Sequence, residues 1–300
     1  MLTPTDVTHV LIIIILLVPG TALNSFIISI YFTHWRKKQQ FTACEQIFLS
    51  TALTNLLLQW FSLVIELVYF VFIKLKNFGT IYLYISIFLF CMSYFFFWNT
   101  AWLSAQYCLK LGNHSSGFLT WLKVKFSSSM TQVIVASLLW VLVTSLPMYW
   151  AVSFVKDNVT VSSGVVMNPN SLALNVVLGC VLPFIQTLIC IGLSIIYLLR
   201  HVRRIRQNEA QYSSSPQVSG HLRAVRTMTV HLLLNAALQA GITGRILSAF
   251  NPKSFTSVSR ETCGFLIQLY PSAEALTIIM ANRTLKKKLL KTLEFLYRKT

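Results

Sequence analysis

The 300-residue chain is 55% hydrophobic and only 11% charged, where a soluble domain carries about 25% charged side chains, so an ordinary soluble globule is excluded. Its 25 Lys and Arg exceed its 8 Asp and Glu by 17, yet so apolar a chain makes a poor nucleic-acid module. Seven spans of about 22 residues would occupy roughly half the length, which leaves little for a separate catalytic domain.

Long apolar runs bounded by polar residues recur along the whole chain. The first, Val10 to Phe32, opens with "VLIIIILLVPG" and is preceded only by Asp6 and His9; it lacks the cationic lead and cleavage site of a secretory signal and is retained as a span. The second, Ile47 to Ile73, follows Glu45 and contains Glu66, and the third, Ile81 to Leu109, contains the aromatic stretch "SIFLFCMSYFFFW". Met130 to Trp150 is the fourth and Leu172 to Leu199 the fifth; the polar "QNEAQYSSSPQVSG" after it reads as a flexible loop, with Ser213 to Ser215 open to phosphorylation. The sixth, Met228 to Phe250, is uneven and holds His231, the one histidine inside a span, and the seventh is Thr262 to Met280. A hydrocarbon core of about 30 Å needs about 20 helical residues, and helices satisfy their own backbone groups in lipid. The pattern predicts an all-α membrane protein, a single seven-transmembrane helix bundle over residues 1–300 that ends in a basic tail from 281 to 300.

Orientation follows from the basic residues, which concentrate in cytoplasmic loops. Nineteen Lys and Arg fall in the three alternate loops and the tail, against five in the segments on the other side, with Arg245 inside the sixth span. The amino terminus is therefore expected outside and the carboxy terminus in the cytoplasm. Three sequons occur, at Asn113, Asn158 and Asn282, and this topology leaves only Asn158 on the glycosylated side. The six cysteines all lie in or at the edges of spans and none in the outer loop around Asn158, so a disulfide from the third span to that loop is not possible. No Cys/His spacing suggests a metal, and no cofactor is expected.

Catalysis would need a nucleophile, a base and an orienting group, or clustered carboxylates and imidazoles. The histidines and acidic residues are instead scattered, without HExxH, GxSxG or a Gly-rich phosphate loop. Pro19, Pro147, Pro183 and Pro271 do not form the paired broken-helix pattern of a transporter. The chain reads as no enzyme, and a heptahelical receptor is the fold-level analogy.

Specific motifs narrow the analogy. "WLSAQYCLKLGNHSSGFLTWLKVKF" resembles the Leu-Lys-Ile-Ala-Asn-Phe-Ser stretch and Leu-Trp-Leu-Lys block of the bitter taste receptors, the type 2 taste receptors, through Leu109, Lys110, Asn113, Ser115, Leu119, Trp121, Leu122 and Lys123. Pro183, Phe184, Leu198 and His201 resemble that family's fifth span. His221, Ala224 and Thr227 resemble its entry to the sixth, and Pro271, Ser272, Asn282, Leu285 and Lys286 its seventh. The chain departs from the pattern at Asn55, where the family usually has Arg, and at Glu274 and Ala275, where it has His-Ser. These departures imply altered polar contacts among the first, second and seventh helices, where Asn24 fits the pattern. Rhodopsin-like motifs are missing, and the seventh span has no interior Lys for a retinal Schiff base.

The resemblance implies a plasma-membrane G-protein-coupled receptor that binds small, mostly apolar bitter compounds among the outer helix halves. It would activate a heterotrimeric G protein with a gustducin-type alpha subunit, leading to phospholipase C activity and calcium release. Type 1 vomeronasal-like chemoreception and small-solute transport are the alternatives. Glu66 is a pocket candidate because a charge inside a span is costly without a cavity or partner. Ser86, Leu89, Phe90, Ser93 and Tyr94 share a helical face that the family's pocket uses, and Asn175, Gln239 and Gln268 are polar groups at similar depth. Arg245 either lines the pocket or snorkels to headgroups. Lys110, His201, Arg204, His221, Arg226 and Lys286 are the expected coupling and conformational residues, while the run Lys286, Lys287, Lys288 also attracts anionic lipid.

Overall fold

The computed structural model describes residues 4–38, 40–72, 78–111, 117–147, 152–155, 164–167, 169–208, 216–250 and 257–298. Ten helices occur among them: α1 (Pro4–Arg36), α2 (Ala43–Phe72), α3 (Phe78–Leu111), α4 (Gly117–Ser128), α5 (Met130–Ser145), α6 (Pro169–Val176), α7 (Leu182–Asn208), α8 (Pro216–Phe250), α9 (Ser257–Ala281) and α10 (Arg283–Tyr297). A short antiparallel ribbon, β1 (Val152–Val155) with β2 (Gly164–Met167), sits between α5 and α6 and pairs Val152 with Met167 and Val155 with Gly164. Its β-branched and aromatic residues favour extended backbone.

Among the described residues five helices are long and apolar enough to cross a membrane, and α4 with α5, bent by 69° at Ser129, makes a sixth candidate. The 35-residue α8 is not among them. Buried His231, Asn235 and half-buried Gln239 lower its apolarity, and they point into the protein rather than toward lipid. Several helices outrun the apolar segments of the sequence. Pro216 begins α8, so "PQVSG", expected in a loop, is helical: proline suits the first helical turn because its missing N–H has no intrahelical partner there anyway. The expected fifth span is built from α6, a π-helical turn over Val177–Val181, and α7. At the start of α2, Thr42 and Glu45 form a capping box: the Glu45 carboxylate accepts from the Thr42 backbone N–H at 2.9 Å, and the Thr42 hydroxyl accepts from the Glu45 N–H at 3.3 Å.

Two apolar clusters lie at successive depths in the bundle. One gathers Ile27 and Tyr31 of α1, Ile47 and Phe48 of α2, Leu103 of α3, Met130 of α5, Ile278 and Ile279 of α9 and Leu285 of α10. The other gathers Leu58 of α2, Phe95, Phe96 and Phe97 of α3, Val141 of α5, Cys180 of the π-turn, Leu238 and Ile242 of α8 and Tyr270 of α9. Lipid is as apolar as leucine, so close packing and hydrogen bonds rather than water exclusion hold such helices together. Glycine permits the closest approaches. A Cβ on Gly241 would stand 3.0 Å from the Cys263 carbonyl oxygen, and one on Gly20 would stand 2.6 Å from both Gln59 Oε1 and Ser272 Oγ.

Candidate functional site: a buried polar layer and the pocket beside it

Between the two apolar clusters runs a layer of buried polar side chains: Asn24 on α1, Thr51, Thr54 and Asn55 on α2, Asn99 and Thr100 on α3, Ser137 on α5, His231 and Asn235 on α8, and Glu274 on α9. Polar groups at this depth are expensive in lipid and are placed where partners or function require them. On one side, Asn24 Nδ2 donates to the Gly20 carbonyl at 2.8 Å and to the Pro271 carbonyl at 3.3 Å, and Asn55 Nδ2 donates to Asn24 Oδ1 at 3.4 Å. One turn along α2, Gln59 Nε2 donates to Ser272 Oγ at 3.5 Å, and that hydroxyl donates to the Leu16 carbonyl at 3.1 Å. Asn55 therefore ties α2 to α1, and through Asn24 to α9. The first, second and seventh spans keep a polar junction with the shorter amide in place of arginine.

Glu274 turns the other way. His231 Nδ1 lies 2.9 Å from its Oε1 and 3.0 Å from its Oε2, and the Tyr270 hydroxyl is 3.1 Å from both Glu274 Oε2 and Asn235 Oδ1. This second junction joins α8 to α9. The sequence marked His231 as the one histidine inside a span and Glu274 as a departure, but nothing in it paired two residues 43 positions apart. Bonds between side chains also run from Ser50 Oγ to Asn99 Oδ1 at 3.2 Å and from Trp102 Nε1 to Ser137 Oγ at 2.7 Å.

The pocket candidates lie against the Tyr270 cluster. Tyr94 is fully buried, its ring packs on Gly179 of the π-turn, and its hydroxyl has no hydrogen-bond partner among the described residues. Phe90 is one turn away, with ring centroids 6.2 Å apart, and Ser86 and Leu89 are half-buried. The Ser93 hydroxyl donates to its own helix at the Leu89 carbonyl, 2.8 Å away. Leu89, Phe90 and Tyr94 share one apolar cluster with Val176, Leu238 and Ile267, the chain neighbours of Asn175, Gln239 and Gln268. Asn175 and Gln268 are buried, and Gln239 is half-buried, its Oε1 without a hydrogen-bond partner among the described residues. Glu66 and Arg245 lie in α2 and α8 with side chains outside the described residues, as does the whole of Asn158.

Of the expected coupling residues, Lys110 is exposed and its Nζ donates to Cys44 Sγ at 3.1 Å, joining the end of α3 to the start of α2. Arg226 and Lys286 are exposed on α8 and α10, while the His201, Arg204 and His221 side chains are outside the described residues. The basic tail of the sequence is itself helical as α10. Asn282 caps it by accepting from the N–H groups of Thr284 and Leu285 at 2.9 and 3.3 Å, and donates to the Tyr31 hydroxyl at 3.4 Å. The Asn-x-Thr spacing was visible as a sequon rather than as a cap. All six cysteines are free, and no cluster of three or more metal-binding side chains occurs among the described residues.

Long apolar helices packed around a buried polar layer define a multi-pass helical membrane protein. A family model described as "Taste receptor protein (TAS2R)" matches residues 1–297. The chain belongs to the type 2, or bitter, taste receptor family of G-protein-coupled receptors. Among its relatives, taste receptor type 2 member 9 of Homo sapiens is 30% identical over 207 residues, covering 66% of this chain and 65% of the human one. Member 40 of Gallus gallus is 25% identical over 88% of this chain and 87% of its own length. Member 20 of Gorilla gorilla gorilla is 28% identical over 94% and 92%.

Proposed function

We propose that this chain is a plasma-membrane chemoreceptor of seven spans, amino terminus outside, that binds small and mostly apolar bitter compounds and activates a gustducin-type G protein. Five long apolar helices, the bent α4 and α5 pair and the more polar α8 supply the seven crossings, and the distribution of Lys and Arg supports the orientation. The observation that carries the binding reading is the Tyr94 environment. A fully buried phenol without a hydrogen-bond partner among the described residues stands among Leu89, Phe90 and the π-turn. Apolar walls with a few unsatisfied polar atoms suit a small ligand that brings one matching polar group. Glu66, Ser86, Ser93, Asn175, Gln239 and Gln268 complete the proposed pocket. Agonist binding shifts a two-state bundle, and Lys110, His201, Arg204, His221, Arg226 and Lys286 engage the G protein or follow the helix movement on the cytoplasmic face. Phospholipase C activity and calcium release follow.

The test is calcium imaging of cells that express the full chain with a gustducin-type chimeric G protein, challenged with a panel of bitter compounds. The expected result is a dose-dependent response absent from mock cells. Tyr94→Phe should lower the potency of an agonist carrying a polar group by about 5- to 10-fold, the loss of one net hydrogen bond. Silence from surface-expressed chain together with accumulation of a labelled solute would replace reception by transport.

A further inference from the structure

Glu274 is 1% exposed in the interior of α9, a setting in which a carboxyl needs other protein groups to hold it. Both its oxygens lie within 3.0 Å of His231 Nδ1, so one ring N–H serves the pair. The Tyr270 hydroxyl, one turn earlier on α9, reaches Glu274 Oε2 and Asn235 Oδ1 at 3.1 Å each. With a single proton it donates to one of them at a time. The two rungs, His231 with Glu274 and Asn235 with Tyr270, occupy successive turns of two antiparallel helices.

The same two helices meet quite differently further along. At Gly241 and Gly244 the α8 backbone lies directly on Cys263, close enough that a Cβ at Gly241 would come within 3.0 Å of the Cys263 carbonyl. That contact has no alternative partners to exchange. The polar rungs do, and they are imperfect: His231 Nε2 is buried without a hydrogen-bond partner among the described residues, which offsets part of what the Nδ1 contact contributes. The α8 and α9 interface therefore has a tight small-residue end and an exchangeable polar end about 15 Å apart along the helix.

We propose that His231, Asn235, Tyr270 and Glu274 form a conformational latch, closed here, that opens when α8 pivots away from α9 about the Gly241 and Gly244 contact. It supplies the two-state element that the receptor reading requires and rests on that reading for its consequence in signalling. The latch itself is a statement about two helices and is testable without any ligand. Met228 is 1% exposed and lies one turn from His231 at the end of α8 that would swing.

The test uses the full chain carrying Met228→Cys in permeabilised cells, with a charged methanethiosulfonate as probe and the chain without that substitution as background for the native thiols. Glu274→Gln should raise the modification rate of the introduced thiol at least about fivefold. Exchanging the pair, His231→Glu with Glu274→His, should return it to within about twofold of the parent. An unchanged rate in Glu274→Gln overturns the latch. If that variant fails to reach the surface, Tyr270→Phe, which keeps the ring and loses the shared hydroxyl, carries the same test, and an unchanged rate there overturns it too. Agonist-free inositol phosphate production is measured in parallel with the chimeric G protein. Faster modification with raised production supports the latch and the receptor reading together, whereas faster modification without it leaves the latch standing and removes the signalling role.

Discussion

Replacing Gly179 by alanine puts the packing of the π-turn against α3 to a quantitative test. The added methyl carbon would stand 2.5 Å from Tyr94 Cδ2 and 2.7 Å from Cδ1, with Cγ closer still, where ordinary contact begins at 3.4 Å. Either the turn or the ring must retreat by at least about 0.9 Å, the difference between 3.4 Å and the 2.5 Å to Cδ2, and by slightly more to clear Cγ. Tyr94 is fully buried between Phe90 and the π-turn, and a buried ring pressed on its face cannot move aside as a flexible chain end can. Overpacking of this kind costs about 1 to 3 kcal/mol. The expected outcome is the upper half of that range, about 2 to 3 kcal/mol, a fall in midpoint of about 4 to 12 °C at the 2 to 4 °C per kcal/mol of larger domains. Thermal unfolding of the detergent-solubilised chain, followed by fluorescence-detected size exclusion, measures it. Tyr94→Leu added to Gly179→Ala should recover part of the loss, because the smaller side chain vacates the ring's volume, and the resulting non-additivity is the signature of direct contact. A Gly179→Ala midpoint within about 1 °C of the parent, below half a kcal/mol on the same scale, would refute the close packing of Gly179 on Tyr94.

Asn55→Ala removes the donor to Asn24 Oδ1 and leaves a buried acceptor short of a partner, so the midpoint should fall by the equivalent of about 1 to 3 kcal/mol; no change would mean that Asn24 is held by Gly20 and Pro271 alone. Trp102→Phe deletes the 2.7 Å bond to Ser137 that joins α3 to α5 and should cost about 0.6 to 1.7 kcal/mol, from the average to the maximum for interhelical bonds in membranes, read in the same unfolding assay. Asn158→Gln should increase the electrophoretic mobility of the mature chain, and glycosidase treatment should no longer alter it; a shift that persists in the variant would place the sugar elsewhere and contradict the proposed orientation. An amino-terminal epitope should be stained on intact cells and a carboxy-terminal one only after permeabilisation, and the reverse pattern would reject the charge-based topology.

The apolar runs and the family motifs were legible because each is local in the chain. Length and hydropathy suffice to find Val10 to Phe32, and the motif from Leu109 to Lys123 is contiguous in sequence. What escaped was set by neighbours distant in sequence. Glu274 looked like an isolated departure until α8 brought His231 to it, and Asn55 looked like the loss of a junction until Asn24 was found within its reach. The π-turn at Val177–Val181 carries no sequence mark beyond Gly179, whose importance depends on a tyrosine 85 residues earlier. The helical start at Pro216 was hidden by the serines before it, although proline itself was the available signal. The capping box is local, Thr42-Ala43-Cys44-Glu45, and its spacing alone marks the start of α2.

Asn282 stands alone between α9 and α10, and its two ends are engaged in different directions. Its oxygen holds the first turn of α10, its nitrogen meets Tyr31 of α1, and Lys288 Nζ of α10 lies 3.2 Å from His34 Nε2 of α1. The last helix is thus moored to the first as well as to the one it follows. A tilt of α9 would drag on α1 through that amide as well as through the Asn24 bond to Pro271 and the Ser272 bond to Leu16, so the corner made by α1, α9 and α10 moves as one piece, and α8, joined to it by the polar rungs, the glycine contact and the apolar packing of Leu238 and Ile242, is the partner proposed to swing against it.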